Sequence, residues 1–166
     1  LTLVLPALLA RAADEPAKTA GDVTLPVPAP GFAWKKVREI DAKGGGKVEV
    51  FAATKENSAA RVVLIIEPAI VDTDAQKSAR VKGLYNGTIG GLKEQGYTDL
   101  KGTKPPLTPP YTDRASFYLT GKGKDGQNLS FFGILVFGKS LYQLQVAAPT
   151  DDEAKALAKV ADSIKE

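Results

Sequence analysis

The segment Lys47–Thr54 (KVEVFAAT) sets Val48, Val50 and Ala52 against Lys47, Glu49 and Phe51, the period-two alternation of a strand. Arg61–Glu67 (RVVLIIE) is instead a near-continuous β-branched run, the pattern of a strand buried on both faces. Residues 55–58 (KENS) suit a hairpin connection between the two, and Gly44-Gly45-Gly46 marks the turn before the first. Upstream, residues 32–37 (FAWKKV), which include the only Trp, predict an opening strand. The period then changes. Val81, Tyr85, Ile89 and Leu92 recur at spacings of four, four and three, one face of a helix predicted over 74–95. Asp72, Thr73 or Asp74 supplies its N-cap oxygen, and Gly96 suits the left-handed position past its end. Residues 100–111, with Pro105, Pro106, Pro109 and Pro110, read as a stiff loop.

Three strands follow, over 114–120, Asn128–Phe137 and 140–148, joined by hairpin links at 121–127 and 138–139. Thr150 and Glu153 have capping-box spacing, opening a last helix over 151–165 with Ala154, Leu157, Val160, Ala161 and Ile164 as its inner stripe. The predicted fold class is therefore α+β: one antiparallel β-sheet flanked by a long central helix and a C-terminal helix.

The first ten residues (LTLVLPALLA) are apolar except for Thr2, and Ala10-Arg11-Ala12-Ala13 then gives a small-residue exit. That is the form of a secretory signal's hydrophobic region and cleavage site, and it is too short to span a bilayer. Residues 1–13 are accordingly expected to be a signal-peptide remnant, 14–30 an Ala/Pro-rich linker, and 31–166 a single domain. Within the linker, Val23-Thr24-Leu25 could pair as an edge strand. The address expected is periplasmic or secreted, with no membrane span in the mature chain.

Composition narrows the chemistry. Cys, His and Met are all absent, which removes thiolate nucleophiles, imidazole bases, Cys/His zinc sites and a lipid-bearing cysteine. Without Arg11 the 22 basic residues fall by one against 19 acidic, a balance of +2, too even for a nucleic-acid binder.

Pro30-Gly31-Phe32-Ala33-Trp34 before the first strands, the single long central helix and the closing run 141–165 (LYQLQVAAPTDDEAKALAKVADSIK) resemble the PsbP/DcrB superfamily, whose fold is shared with a yeast Ran-binding nuclear import factor. The resemblance covers roughly residues 31–166 on element order. It implies an α/β/α sandwich and a mostly non-enzymatic role, as extrinsic subunits or binding partners of larger assemblies.

Several constellations invite chemistry. Residues 121–126 (GKGKDG) match GxGxxG, but between two strands, where a hairpin tip is expected rather than a phosphate cradle. Ala75, Ala79, Gly83, Gly87 and Gly91 form a small-residue ridge roughly opposite the Val81/Tyr85/Leu92 face. It serves either close packing within the protein or docking of a partner. The candidate interaction surface is Ala79, Gly83, Gly87, Gly91, Pro106, Pro109 and Tyr111. An alternative is a small-ligand pocket between helix and sheet near Trp34, Tyr85 and Tyr97. The carboxylates Asp72, Asp74, Asp151 and Asp152 sit where helix caps are wanted, so a carboxylate-based hydrolase is the least favoured reading. The function expected is that of a non-catalytic exported accessory protein. It would bind an unknown protein or envelope component, need no cofactor or metal, and exist as a monomer or weak homo-oligomer.

Overall fold

The computed structural model describes residues 25–103 and 113–164. Residues 1–13, expected to be a signal remnant, and Val23, Thr24, Pro106, Pro109 and Tyr111 lie outside the described residues. The chain builds β1 (Ala33–Asp41), β2 (Lys47–Thr54), β3 (Arg61–Glu67), α1 (Asp74–Glu94), β4 (Thr98–Thr103), β5 (Arg114–Lys122), β6 (Asn128–Phe137), β7 (Leu141–Ala148) and α2 (Asp151–Ala158). A 3₁₀ turn over Lys159–Ser163 follows. All strands pair antiparallel in one sheet, ordered β1-β2-β3-β7-β6-β5-β4, so the α+β class is that of the structure.

Two meanders meet at the β3–β7 seam, where Leu64 lies opposite Leu144 and both are fully buried. On one face of the sheet, Val62, Leu64 and Ile66 of β3 join Leu144 and Val146 of β7 beneath Ala154 and Leu157 of α2 and Val160 and Ile164 beyond it. On the other face, α1 sets Val81 and Leu92 over Ala115, Leu135, Phe117 and Phe131 of β5 and β6. Tyr85 meets the Phe117 ring edge-on at 5.2 Å. The α1 ends follow local chemistry. Thr73 is the N-cap and forms a full capping box with Gln76. At the other end, Tyr97 N–H donates to the Leu92 carbonyl and Gly96 N–H to that of Lys93, with Gly96 at φ +86°, a Schellman motif.

Five expectations need correction. Residues 100–103, expected to open the stiff loop, belong to the edge strand β4; β4 is almost wholly exposed, so it carries no apolar alternation to read. Residues 25–30 are not a free tether. Leu25 is fully buried, Val27 and Ala29 pack on the same core, and the Trp34 indole donates to the Pro26 carbonyl at 3.0 Å, with Leu25 outside any strand. The last helix stops at Ala158 and tightens into the 3₁₀ turn. Only half of the second capping box forms, from Glu153 N–H to the Thr150 hydroxyl. And β3 is fully buried on one face only, since Val63 is half-buried on the other.

The outer strand β1 is blunted against edge-to-edge pairing by a register break between Lys36 and Arg38 and by charge. Lys36 and Lys47 both grip the Glu39 carboxylate, Lys36 more strongly, and lower its pKa to about 2. A carbon-detected NMR titration is therefore expected to find Glu39 still ionised at pH 3, and Lys36→Gln should return it toward the ordinary glutamate range. An ordinary midpoint in the wild type would mean that these exposed ion pairs do not persist in solution.

Candidate functional site

Because α1 stands over β5 and β6, it leaves the same face of β1, β2 and β3 to one side. Alternation turns Val48, Val50 and Ala52 of β2, and Val63 and Ile65 of β3, to that side, where Val48, Ala52 and Val63 are half-buried and Val50 and Ile65 are buried. Between this apolar floor and the flank of α1 lies a cleft of about 1550 Å³. The helix wall is the small-residue ridge itself: Ala79, Gly83, Gly87 and Gly91, with Leu84 beside them. The ridge is thus not on the back of the helix, as angular spacing suggested, but on its flank, running from exposed Ala79 and Gly83 to buried Gly91.

Gly83 shows what the ridge leaves free. A Cβ built there meets nothing within 4 Å, so no neighbouring backbone explains the glycine. Gly90 is equally open. Interior helical glycine is unfavourable against alanine by about 0.5–1 kcal/mol. Gly83→Ala and Gly90→Ala are each expected to stabilise the protein by about that amount, raising Tm by about 2 °C. A drop in Tm on either change would show that the site is crowded in solution.

The two ends of the cleft differ in charge. Where α1 begins, Arg80 pairs with Glu67 at 3.1 Å, and the Gln143 amide also donates to Glu67. Where β3 begins, Arg61 and Lys35 line the cleft, and neither has an ion-pair partner among the described residues. Glu56, in the β2–β3 connection, is the carboxylate lining that end.

The three aromatics expected around a pocket do not share one. Trp34 is 5% exposed in the core on the α2 side of the sheet. Tyr85 packs into the α1–sheet core against Phe117. Tyr97 borders a separate cavity of about 330 Å³ with Gly123, Lys124 and Gln127 at the β5–β6 hairpin. Residues 121–126 form that hairpin: Gly121 and Lys122 end β5, Gly123 N–H donates to the Gln127 carbonyl at 2.9 Å, and Gly126 turns at φ +73°. The loop joins β5 to β6 and does not lead into a helix, so it lacks the strand–loop–helix order that a pyrophosphate cradle needs.

The floor residues were not singled out in the sequence, although a signal for them exists. Strands β2 and β3 carry apolar residues on both faces, while α1 has one narrow apolar stripe, too little to cover seven strands.

The carboxylates are fasteners. Asp151 accepts hydrogen bonds from the Ser130 and Tyr118 hydroxyls, pinning the first turn of α2 to β6 and β5. The Ser130 hydroxyl, then that of Tyr118, hold the Asp151 carboxyl below the usual aspartate range, and Lys155 adds to this. The Tyr118 phenol is pushed up, first by burial and then by its hydrogen bond to Asp151. A carboxylate with a depressed pKa stabilises the fold above its unfolded pKa and loses that contribution as pH falls through the folded one. Urea midpoints for wild type and Asp151→Asn are expected to differ at neutral pH and to converge on strong acidification. A constant gap would show that the charge of Asp151 is immaterial.

Among the described residues, no group of three or more acidic side chains could hold a metal ion, and no helix is long and apolar enough to cross a membrane. No protein-family model and no curated protein matches the chain.

Proposed function

We propose that this is a non-catalytic, exported binding module of the PsbP/DcrB-like kind, an α/β/α sandwich whose cleft between α1 and β1–β3 receives a small apolar molecule. The observation that carries the reading is the pairing of an apolar floor with a small-residue wall in which Gly83 has empty space above it. Ligand sites are concave, mostly apolar and set between packed elements, and this cleft has that composition. The ridge that suggested a protein-docking face belongs to the cleft wall, which shifts the weight from a macromolecular partner to a small one. Absence of His and Cys and the commitment of Ser130 to Asp151 favour recognition over turnover.

The test uses Nile red, a neutral dye that brightens in apolar surroundings. Saturable one-to-one binding to the native protein is expected. Gly83→Leu, which extends a side chain into open space, should weaken it about tenfold or more with the fold intact by circular dichroism. Equal binding by the variant, or none by the wild type, would overturn the reading. Trp34 is a poor reporter for this experiment because it lies on the opposite side of the sheet.

A further inference from the structure

We propose that the cleft's ligand is an amphiphile with an anionic head, a free chain carboxylate, bound with its head at Arg61 and Lys35 and its chain along Val63 and Ile65. This rests on the apolar-ligand reading above and deepens it.

The direction follows from β3. Arg61, Val63 and Ile65 project to the same side, about 6.6 Å apart in turn, so the floor passes from cationic to apolar along one strand. Lys35 joins the cationic end from β1. It pairs with Ala52, which pairs with Val63, so Lys35 stands two strands away at the level of the first apolar floor residue. An anion between Lys35 and Arg61 therefore has its chain aimed down the trough. The opposite end is of mixed charge, with Lys43 and Asp41 both in its lining. Arg80 is already paired with Glu67, and Glu67 also takes the Gln143 amide, so an anionic head there would compete with an existing carboxylate. At the Arg61 end a cationic head would be opposed by Arg61 and Lys35, with Glu56 the carboxylate in its favour. Gly83 on the facing wall leaves room for the chain, since an added Cβ there would still meet nothing.

The experiment displaces Nile red from the full chain with dodecanoate, dodecanol and dodecylammonium, each kept below its micelle concentration, beside vesicles of phosphatidylglycerol. Dodecanoate is expected to displace the dye about tenfold more tightly than dodecanol, with dodecylammonium weakest. The double change Arg61→Gln with Lys35→Gln should bring dodecanoate to the level of dodecanol and leave Nile red affinity within about twofold, as should raising the salt. Equal displacement by dodecanoate and dodecanol would refute the head-group assignment while leaving the apolar cleft standing. Tighter binding of dodecylammonium, or binding to vesicles with none to monomeric dodecanoate, would refute it too. Nile red that fails to bind at all would instead remove the underlying reading. Sedimentation of wild type and Gly83→Leu completes the set: a dimer dissociated by the substitution would assign the cleft to a second copy and overturn the proposal.

Discussion

Leu144→Ala is expected to destabilise the protein by about 3 kcal/mol, within the ~2–5 kcal/mol span of leucine-to-alanine changes at buried sites. Leu144 is fully buried on β7 and sits opposite Leu64 on one side and Ile134 on the other. Its neighbours belong to paired strands and to α2, so they cannot collapse into the space without breaking ladder hydrogen bonds. The cost therefore includes the cavity as well as the lost transfer energy. Urea unfolding should show a lower midpoint with an unchanged slope. Leu64→Ala should cost a similar amount, and the double variant should cost less than their sum, because the two truncations share one void. A loss below about 1 kcal/mol at either position would mean that the β3–β7 seam is not where the two meanders are held together.

Gly133→Val is the second large effect, in the opposite sense of crowding. A Cβ on Gly133 of β6 would stand 2.3 Å from the Phe117 ring. That ring cannot withdraw easily. Tyr85 abuts it at 5.2 Å, and Phe131 lies 6.1 Å away at a small interplanar angle. Overpacking of this kind costs about 1–3 kcal/mol, and the lack of an exit for the ring argues for the upper part of that range. Because Phe117 is also the platform on which Tyr85 seats α1, the ring cannot shift without moving the helix that walls the cleft. Gly133→Val should thus lower both the urea midpoint and the Nile red affinity. Gly133→Ala should shift both less, with the same sign. Reduced stability with dye binding fully preserved would show that α1 is held independently of Phe117.

How much of this was readable beforehand differs by element. Strands β2, β3 and β6 were delimited from residues alone, since each is an apolar run ended by turn chemistry. The ends of α1 were equally readable, because Thr73 and Gly96 satisfy the helix's own unpaired groups. Strand β4 was not. Its residues are polar and exposed, Asp99 has a positive φ, and its pairing with β5 is irregular between Thr98 and Lys101. Its only reason to be extended is the free edge of β5. The stretch 25–30 was misread because alternating prolines resemble a linker, whereas Leu25 and the Pro26 carbonyl find partners that lie later in the chain.

The same division holds for the site. The ridge of Ala79, Gly83, Gly87 and Gly91 is visible as a four-residue repeat, and the cations and apolar runs are visible as letters. Their meeting is not. Which half of a seven-stranded sheet a single helix covers depends on packing between residues far apart in the chain, such as Tyr85 with Phe117 and Leu92 with the same aromatic cluster. Periodicity, capping and turn chemistry act over a few residues and leave their marks in local order. Burial is a property of surfaces brought together by the whole fold. For that reason the chain announces its strands and helix ends one segment at a time, while the cleft between α1 and β1–β3 exists only once those segments are stacked.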